Sequence, residues 1–572
     1  MKATIKDGIV YSPHPKVDIP LFSVYTAMKG FLLASPERVA LMDEKMRLTR
    51  GEFFSLLRSF AAGFQAHGVG LGDRVCVHLD NSVENMVALF SITFTGASVL
   101  LSNPILNENE LLFQVDHADA THILTSPQYA KKVAAVQEKT KAKGLFVIGD
   151  CVPGFVSVSG FAELNEDLFK EVDIEDPKET TVAVFYSSGT TGHAKGMEIS
   201  HYSLVANLHT AKALVSYDPD DVLLAWYPIT YASGFLFTPV AASTGATCVI
   251  VHPGLTFEQF VYYINKYNVT ILASVPTRLH FYLADMIRTG TKLPSIKTIN
   301  MGGTVLTETF ARKILAAFGG VRSLRNHYGM SESCGALCSP PKGEISSENV
   351  GFPAPMVELK FLDLDTGNKV GPRQYGELYF RTPSVMKGYY KNPELVKEFM
   401  DDEGWCRSGD IMYYDEDGRV YFVDRLKDMI KCLDQQVSSL ELECLLQNHP
   451  SVADAAVVGV PKTKYGDAPA AFVVLRCGLS PSPELAAELR EHVAGKTEKF
   501  KHLYGGVVFV DRLPRNTNGK VIKRQLKLMY EKSKVMVARK SDRLESSFCA
   551  YRDASVTTVV PVPLRRFIES RC

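Results

Sequence analysis

This sequence has no surplus charge of either sign: Lys+Arg 63 stand against Asp+Glu 63. A chain without a cationic excess lacks the electrostatic footprint of a nucleic-acid binder, so no nucleic acid is expected as partner. It also lacks an ordered cysteine pattern. The eleven cysteines are scattered, and no Cys/His ligand group surrounds the closest pair, Cys334 and Cys338. Reduced intracellular thiols are expected, with neither a disulfide framework nor a zinc site. The stretch Met1-Lys2-Ala3-Thr4-Ile5-Lys6-Asp7 lacks the apolar core of a signal peptide. Long uninterrupted apolar runs are missing too. Residues 86–102 are uncharged but shorter than the roughly 20 residues a membrane span needs. Residues 222–257 carry no Asp, Glu, Lys or Arg, yet Pro228, Gly234, Pro239, Gly245 and Pro253 break them. Buried helix plus buried strand is expected there, and no transmembrane span.

A length of 572 residues exceeds what one core supports, so at least two domains are expected. Apolar content of 46% and charged content of 22% are those of an ordinary soluble protein. Phe53, Leu56, Leu57, Phe60, Ala61 and Phe64 recur at helical spacing over residues 48–67, and Gly68, Gly70 and Gly72 stop them. Short β-branched strands are expected at 74–79, 98–101, 122–125, 145–148, 181–185, 248–251, 270–274 and 298–304, with helices between several of them. That alternation predicts an α/β fold of parallel-rich sheets covered by helices. Residues 454–461 and 469–475 read as paired strands of a smaller α+β unit.

The densest chemistry follows the strand at 181–185. Ser187-Ser188-Gly189-Thr190-Thr191-Gly192-His193-Ala194-Lys195-Gly196 presents four hydroxyls, three glycines and one lysine. Successive backbone N–H groups in such a loop suit a polyphosphate, and glycine permits close approach. It is not a Walker A loop, which needs Gly-Lys followed by Ser or Thr. Glycines Gly302 and Gly303 end the strand at 298–304, where a flat ligand can approach the backbone. Asn326-His327-Tyr328-Gly329-Met330-Ser331-Glu332 follows, then Asp410, the string Val423-Asp424-Arg425-Leu426-Lys427, and Leu513-Pro514-Arg515-Asn516-Thr517-Asn518-Gly519-Lys520.

In that order, over about residues 50–525, these motifs resemble the adenylate-forming superfamily of acyl-CoA synthetases, coumarate–CoA ligases and firefly luciferases. The resemblance implies ATP, Mg2+ and CoA as cofactors and a small-molecule carboxylic acid as substrate. It implies a nucleotide site of Ser187, Ser188, Gly189, Thr190, Thr191, Gly192, Asn326, His327, Tyr328, Gly329, Ser331, Asp410 and Arg425. Tyr328 would stack on adenine, Asp410 would take the ribose hydroxyls, and Glu332 would hold Mg2+. Lys195, Lys431 and Lys520 would be catalytic. Tyr231, Gly302, Gly303 and Met330 would line the acyl pocket. An adenylation domain is expected over 1–424, a mobile lid over 425–532, and a disordered tail over 533–572.

The sequence departs from the family pattern in places. Ala194 stands for proline, Tyr231 for a pocket histidine, and His327 for a glycine. Leu433-Asp434 stands for Lys-Gly on the path CoA takes in the family. A carboxylate there opposes an anionic ligand. An acid–thiol ligase is therefore expected. The alternatives are an adenylate-forming enzyme with weak or no CoA transfer and a non-catalytic nucleotide- or acyl-binding relative. The compartment expected is cytoplasmic or peroxisomal, Ser570-Arg571-Cys572 being a weak relative of a peroxisomal Ser-Lys-Leu ending.

Overall fold

The structure is a computed structural model that describes residues 1–186, 195–215, 217–433, 435–515 and 519–532. The expectations for the loop at 187–194, for Asp434, for 516–518 and for the tail with its terminal Ser570-Arg571-Cys572 lie outside the described residues. Sheets of nine, eight, six and five strands are present among the described residues.

Local rules explain the first elements. The helix Arg50–Ala66 starts on a reciprocal cap: the Thr49 hydroxyl accepts from the Glu52 N–H, and the Glu52 carboxylate accepts from the Thr49 N–H. Its Phe53, Leu57, Phe60 and Phe64 face the core. The two uncharged stretches resolve as short buried elements. Residues 86–102 run through the helix Val83–Phe94 into the strand Ser98–Leu101. Residues 222–257 contain the strand Val222–Ala225, the helix Ala232–Thr244 with Pro239 inside, and the strand Thr247–Ile250. No described helix is long and apolar enough to cross a membrane.

Those two helices form the layer between the large sheets. Val83–Phe94 packs on Ser98–Leu101 of the eight-stranded sheet, and Ala232–Thr244 on Val222–Ala225 and Thr247–Ile250 of the nine-stranded sheet. Phe90 stacks on Phe235 at 5.0 Å with an interplanar angle of 4°. Such a pair contributes about 1 kcal/mol beyond its buried area. Parallel pairing joins Val222–Ala225, Thr247–Ile250, Ile271–Ser274, Thr298–Gly302 and Ser323–Met330. The carboxyl ends of these strands lie on one edge, where open α/β sheets bind ligands.

The six-stranded sheet is antiparallel and carries the next pieces. Its strands Cys406–Tyr414 and Val420–Arg425 pair so that Asp410 lies opposite Arg425. After Arg425 the chain enters the five-stranded sheet of the smaller domain, built from Ile430–Cys432, Gln435–Val437, Val452–Lys462, Gly466–Leu475 and Gly506–Phe509. Val457, Val473, Leu489 and Phe509 fill one face, and Val458, Phe472, Leu526 and Tyr530 the other. The expected α/β fold with a large sheet-rich domain and a smaller second one is what forms.

One carboxylate joins the two units. Asp424 is buried. Its Oδ2 accepts from the N–H groups of Ser439 at 2.7 Å and Leu440 at 3.2 Å, and from the hydroxyls of Ser439 at 2.7 Å and Ser438 at 3.2 Å. Its Oδ1 accepts from the Arg425 N–H at 2.7 Å. An anion at the start of the helix Ser439–Gln447 satisfies donors the helix cannot. Asp424→Ala is expected to lower the opening free energy of this helix by about 2 kcal/mol, read as roughly thirtyfold faster amide exchange over 438–447. Unchanged exchange there would show that Ser438 caps the helix alone.

Candidate active site

Strand register assembles the site's floor. Gly302 lies opposite His327 in parallel pairing. The segment 326–330 is the end of the strand Ser323–Met330, and a 3-10 turn, Ser331–Ser333, follows it. The strand thus delivers these residues into a turn. Gly329 is required by space: a Cβ there would meet the Gly335 carbonyl at 2.4 Å. Met330 is half-buried against the core, and the Ser333 hydroxyl accepts from its N–H at 3.2 Å.

Tyr328 is buried, and its hydroxyl donates to Asp410 Oδ2 at 2.7 Å. Arg425 Nε stands 3.8 Å from Asp410 Oδ1. Burial pushes the Asp410 carboxyl up, and Arg425 and the Tyr328 hydroxyl pull it back. Desolvation and the Asp410 charge raise the Tyr328 phenol well above its ordinary range, so it remains a donor. Asn326 is buried, with its Oδ1 unpartnered. A buried acceptor without a donor is a place for a ligand's N–H, and the exocyclic amine of an adenine fits that requirement.

The smaller domain supplies the remaining cation. Pro514 O accepts from the Ile522 N–H at 2.8 Å, and Arg515 Nη1 donates to the Gly519 carbonyl at 2.5 Å. Arg515 also pairs with Asp454 at 2.6 Å. These contacts pin both ends of the loop that carries Lys520. Lys520 keeps access to solvent, but the protein on its other side desolvates it. Desolvation first, then the Arg425 charge, pull its ammonium down to about 8, against the opposing pull of Asp410. Lys427 is lowered in the same way, by desolvation, Arg425 and, more weakly, Lys195. Arg425 thus acts on both Lys427 and Lys520, and Lys195 on Lys427, with Asp410 and Asp428 as the opposing anions.

Lys195 is tied to the expected metal ligand through an aromatic ring. Its Nζ lies 5.4 Å from the Tyr389 ring centre, and the Tyr389 hydroxyl donates to Glu332 Oε1 at 3.1 Å. Among the described residues, no group of three His, Cys, Asp or Glu could hold a metal alone. One carboxylate suits an Mg2+ ion that arrives on phosphate oxygens.

The other expected residues are placed as follows. His327 is held by Asn300, whose Oδ1 lies 3.1 Å from His327 Nε2 and whose Nδ2 donates to the Tyr217 hydroxyl at 3.0 Å. Desolvation and Arg325 lower its pKa to about 3, so it is neutral. Tyr231 is half-buried at the start of the helix Ala232–Thr244. The turn before it needs Gly234, since a Cβ there would meet the Pro228 carbonyl at 2.1 Å. Lys431 is not gathered with the others: it is exposed on the strand Ile430–Cys432, opposite Gln436. Leu433 is 41% exposed in the two-residue link of that hairpin, with φ at +51°. Ser187, Ser188, Gly189, Thr190, Thr191 and Gly192 lie outside the described residues. Reasoning from motifs missed Tyr389 as a member of the site, and Lys427 too, although it lies inside the string 423–427; only folding brings them to Lys195.

The matched family models carry the descriptions "AMP-binding enzyme", over residues 32–390, and "AMP-binding enzyme C-terminal domain", over 441–520. The chain belongs to the AMP-binding enzyme family. It is an adenylate-forming enzyme by descent, and the expected resemblance holds. Its relatives include a luciferin 4-monooxygenase of Photinus pyralis, 30% identical over 89% of this chain and 94% of that protein. The peroxisomal OPC-8:0-CoA ligase 1 of Arabidopsis thaliana is 31% identical over 90% and 93%. The ATP-bound MatB of Rhodopseudomonas palustris superposes with a TM-score of 0.79, at 26% identity over 89% of this chain and 99% of that one.

For this AMP-binding enzyme, the charge crowding at Lys520 has a direct readout. Competitive labelling with acetic anhydride, followed by peptide mass spectrometry, is expected to show Lys520 reactivity rising through about pH 8. Asp410→Asn removes a charge that favours the ammonium, so the midpoint should move lower. A midpoint above pH 10 would exclude the crowding.

Proposed function

We propose that this chain is an AMP-forming acid–thiol ligase, which activates a carboxylic acid as acyl-AMP and passes the acyl group to CoA. The observation that carries the reading is the gathering of Lys195, Arg425, Lys427 and Lys520 around so little negative charge. A polyphosphate neutralises all four at once. Lys520 comes from the proposed lid, 425–532, Lys195 from the proposed adenylation domain, 1–424, and Arg425 stands at their boundary, at the end of a strand of the six-stranded sheet.

Each side chain has a role in this reading. Tyr328 and Asn326 receive adenine, and the Asp410 carboxylate accepts from the ribose hydroxyls. The loop from Ser187 to Lys195 holds the phosphates. Mg2+, held by Glu332 and phosphate oxygens, would offset charge on the leaving pyrophosphate. The substrate carboxylate oxygen attacks the α-phosphorus, the bond to the β-phosphate bridge oxygen breaks, and Lys520 balances the charge that develops. The CoA thiolate then attacks the acyl carbon and AMP leaves. Lys431 is a proposed participant only after the lid has rotated, since it faces solvent here. Gly302, Gly303, Met330 and Tyr231 border the acyl site. His327, fixed by Asn300, narrows it toward aromatic or medium-length acids. The described cysteines are all free thiols, which favours a compartment inside the cell, cytoplasm or peroxisome.

Lys520→Ala is expected to lower carboxylate-dependent ATP–pyrophosphate exchange by about 10²-fold or more, while ATP still binds. Exchange near the wild-type rate would remove Lys520 from the reaction. A second reading, acyl-AMP formation with poor CoA transfer, rests on Leu433, an exposed apolar side chain in the left-handed region, followed by Asp434. With CoA supplied, thioester is expected by mass spectrometry, and Leu433→Lys with Asp434→Gly is expected to raise its rate about tenfold by removing like charge from the path. Exchange without any thioester would transfer the conclusion to that second reading.

A further inference from the structure

A recess of about 440 Å³ opens away from the nucleotide crevice. It lies among the helix Val24–Leu33, the start of Arg50–Ala66, the helix His201–Val215 and the end of Ala232–Thr244. It shares no residue with the crevice. The last of these helices begins beside Tyr231, and at 1.5 Å per residue its far end is about 20 Å away. Phe22 and Phe31 supply apolar wall, and Arg38, Arg50, His209 and Lys212 supply nitrogen.

Arg50 is the unusual member. It is 3% exposed, and its Nε is buried without a partner. Nη2 donates to the Ala242 carbonyl at 2.8 Å, and Nη1 reaches the Phe31 carbonyl only at 3.5 Å. A buried guanidinium is ordinarily matched by a carboxylate, because taking the charge out of water is costly. No acid lines this recess. Glu37 is the acid beside Arg50, and it is exposed. Asp220 pairs with Arg38 at 2.7 Å but is 98% exposed, so that pair is screened. Asp18 acts on His209, which desolvation and Lys212 keep neutral. The Ala242 and Phe31 carbonyls take one bond from each Nη and leave Nε without an acceptor and the charge without a buried counter-ion. Lys212 Nζ sits 5.4 Å from the Phe31 ring centre at the rim. The recess thus offers an unmatched cation at depth, a second at the mouth, and apolar wall between.

We propose that this recess is a binding site for a small organic carboxylate, its head on Arg50 and its apolar body against Phe31 and Phe22. The volume falls in the range of small-molecule pockets. A planar carboxylate matches the guanidinium fork, and an uncharged ligand leaves Arg50 unmatched. This site is independent of the reaction proposed above.

Hydrogen exchange of the full chain, titrated with octanoate, tests it. Protection is expected in peptides spanning 24–38 and 209–219, whatever happens at 326–332. Arg50→Met is expected to weaken that protection at least about tenfold, and Lys212→Ala about two- to fivefold. Lys212 is exposed, so its variant reads the site even where Arg50→Met unfolds. Protection confined to the nucleotide crevice, or unchanged in both variants, overturns the proposal. Inorganic phosphate giving equal protection at equal concentration overturns the carboxylate assignment.

Discussion

Four cations near one buried carboxylate set the character of this molecule. Asp410 is held by Tyr328 and faces Arg425 across an antiparallel register. The Arg425 charge lowers the proton affinity of Lys427 and Lys520, Lys427 adds to the effect on Lys520, and Lys195 adds to the effect on Lys427. Like charges brought this near are unfavourable in the protein alone. The arrangement is preorganised for an anion carrying several charges, and it meets that anion without having to rebuild itself. A chain with no net charge can thus still hold a local group of cations.

The joint between the domains belongs to the same structure. Asp424 caps a helix of the smaller domain while its neighbour Arg425 faces Asp410. The next residues carry Lys427 and lead to the exposed hairpin with Lys431 and Leu433. Any rotation at this joint would move Lys427 and Lys520 relative to Lys195 and Glu332. The contacts around Arg515 hold the Lys520 loop to the smaller domain's own sheet, so the lysine travels with that domain.

Much of the fold was legible because its elements obey short-range rules. The helix at 50–66 follows from a capping box and an apolar stripe, and the glycines after it end it. The strands at 98–101, 122–125 and 181–186 follow from β-branched runs. The uncharged stretch 222–257 read correctly as buried pieces because proline and glycine cut it. The segment 326–332 was less legible: Asn, His, Gly and Ser resemble a turn, and pairing with Thr298–Gly302 makes most of it strand. Tertiary pairing overrides local propensity there.

Of the site, the family resemblance named Asp410, Arg425, Tyr328, Glu332 and Lys520 in advance, and folding brings Tyr328 and Arg425 to Asp410. Sequence could not show that Tyr389 bridges Lys195 to Glu332, that Asp424 caps a helix fifteen positions on, or that Lys431 faces outward. Those depend on which strands lie side by side and on how the smaller domain sits against the larger. The residue types were local information; their distances, their burial and the depressed affinity of Lys520 for its proton arise only when remote segments exclude water from a common space.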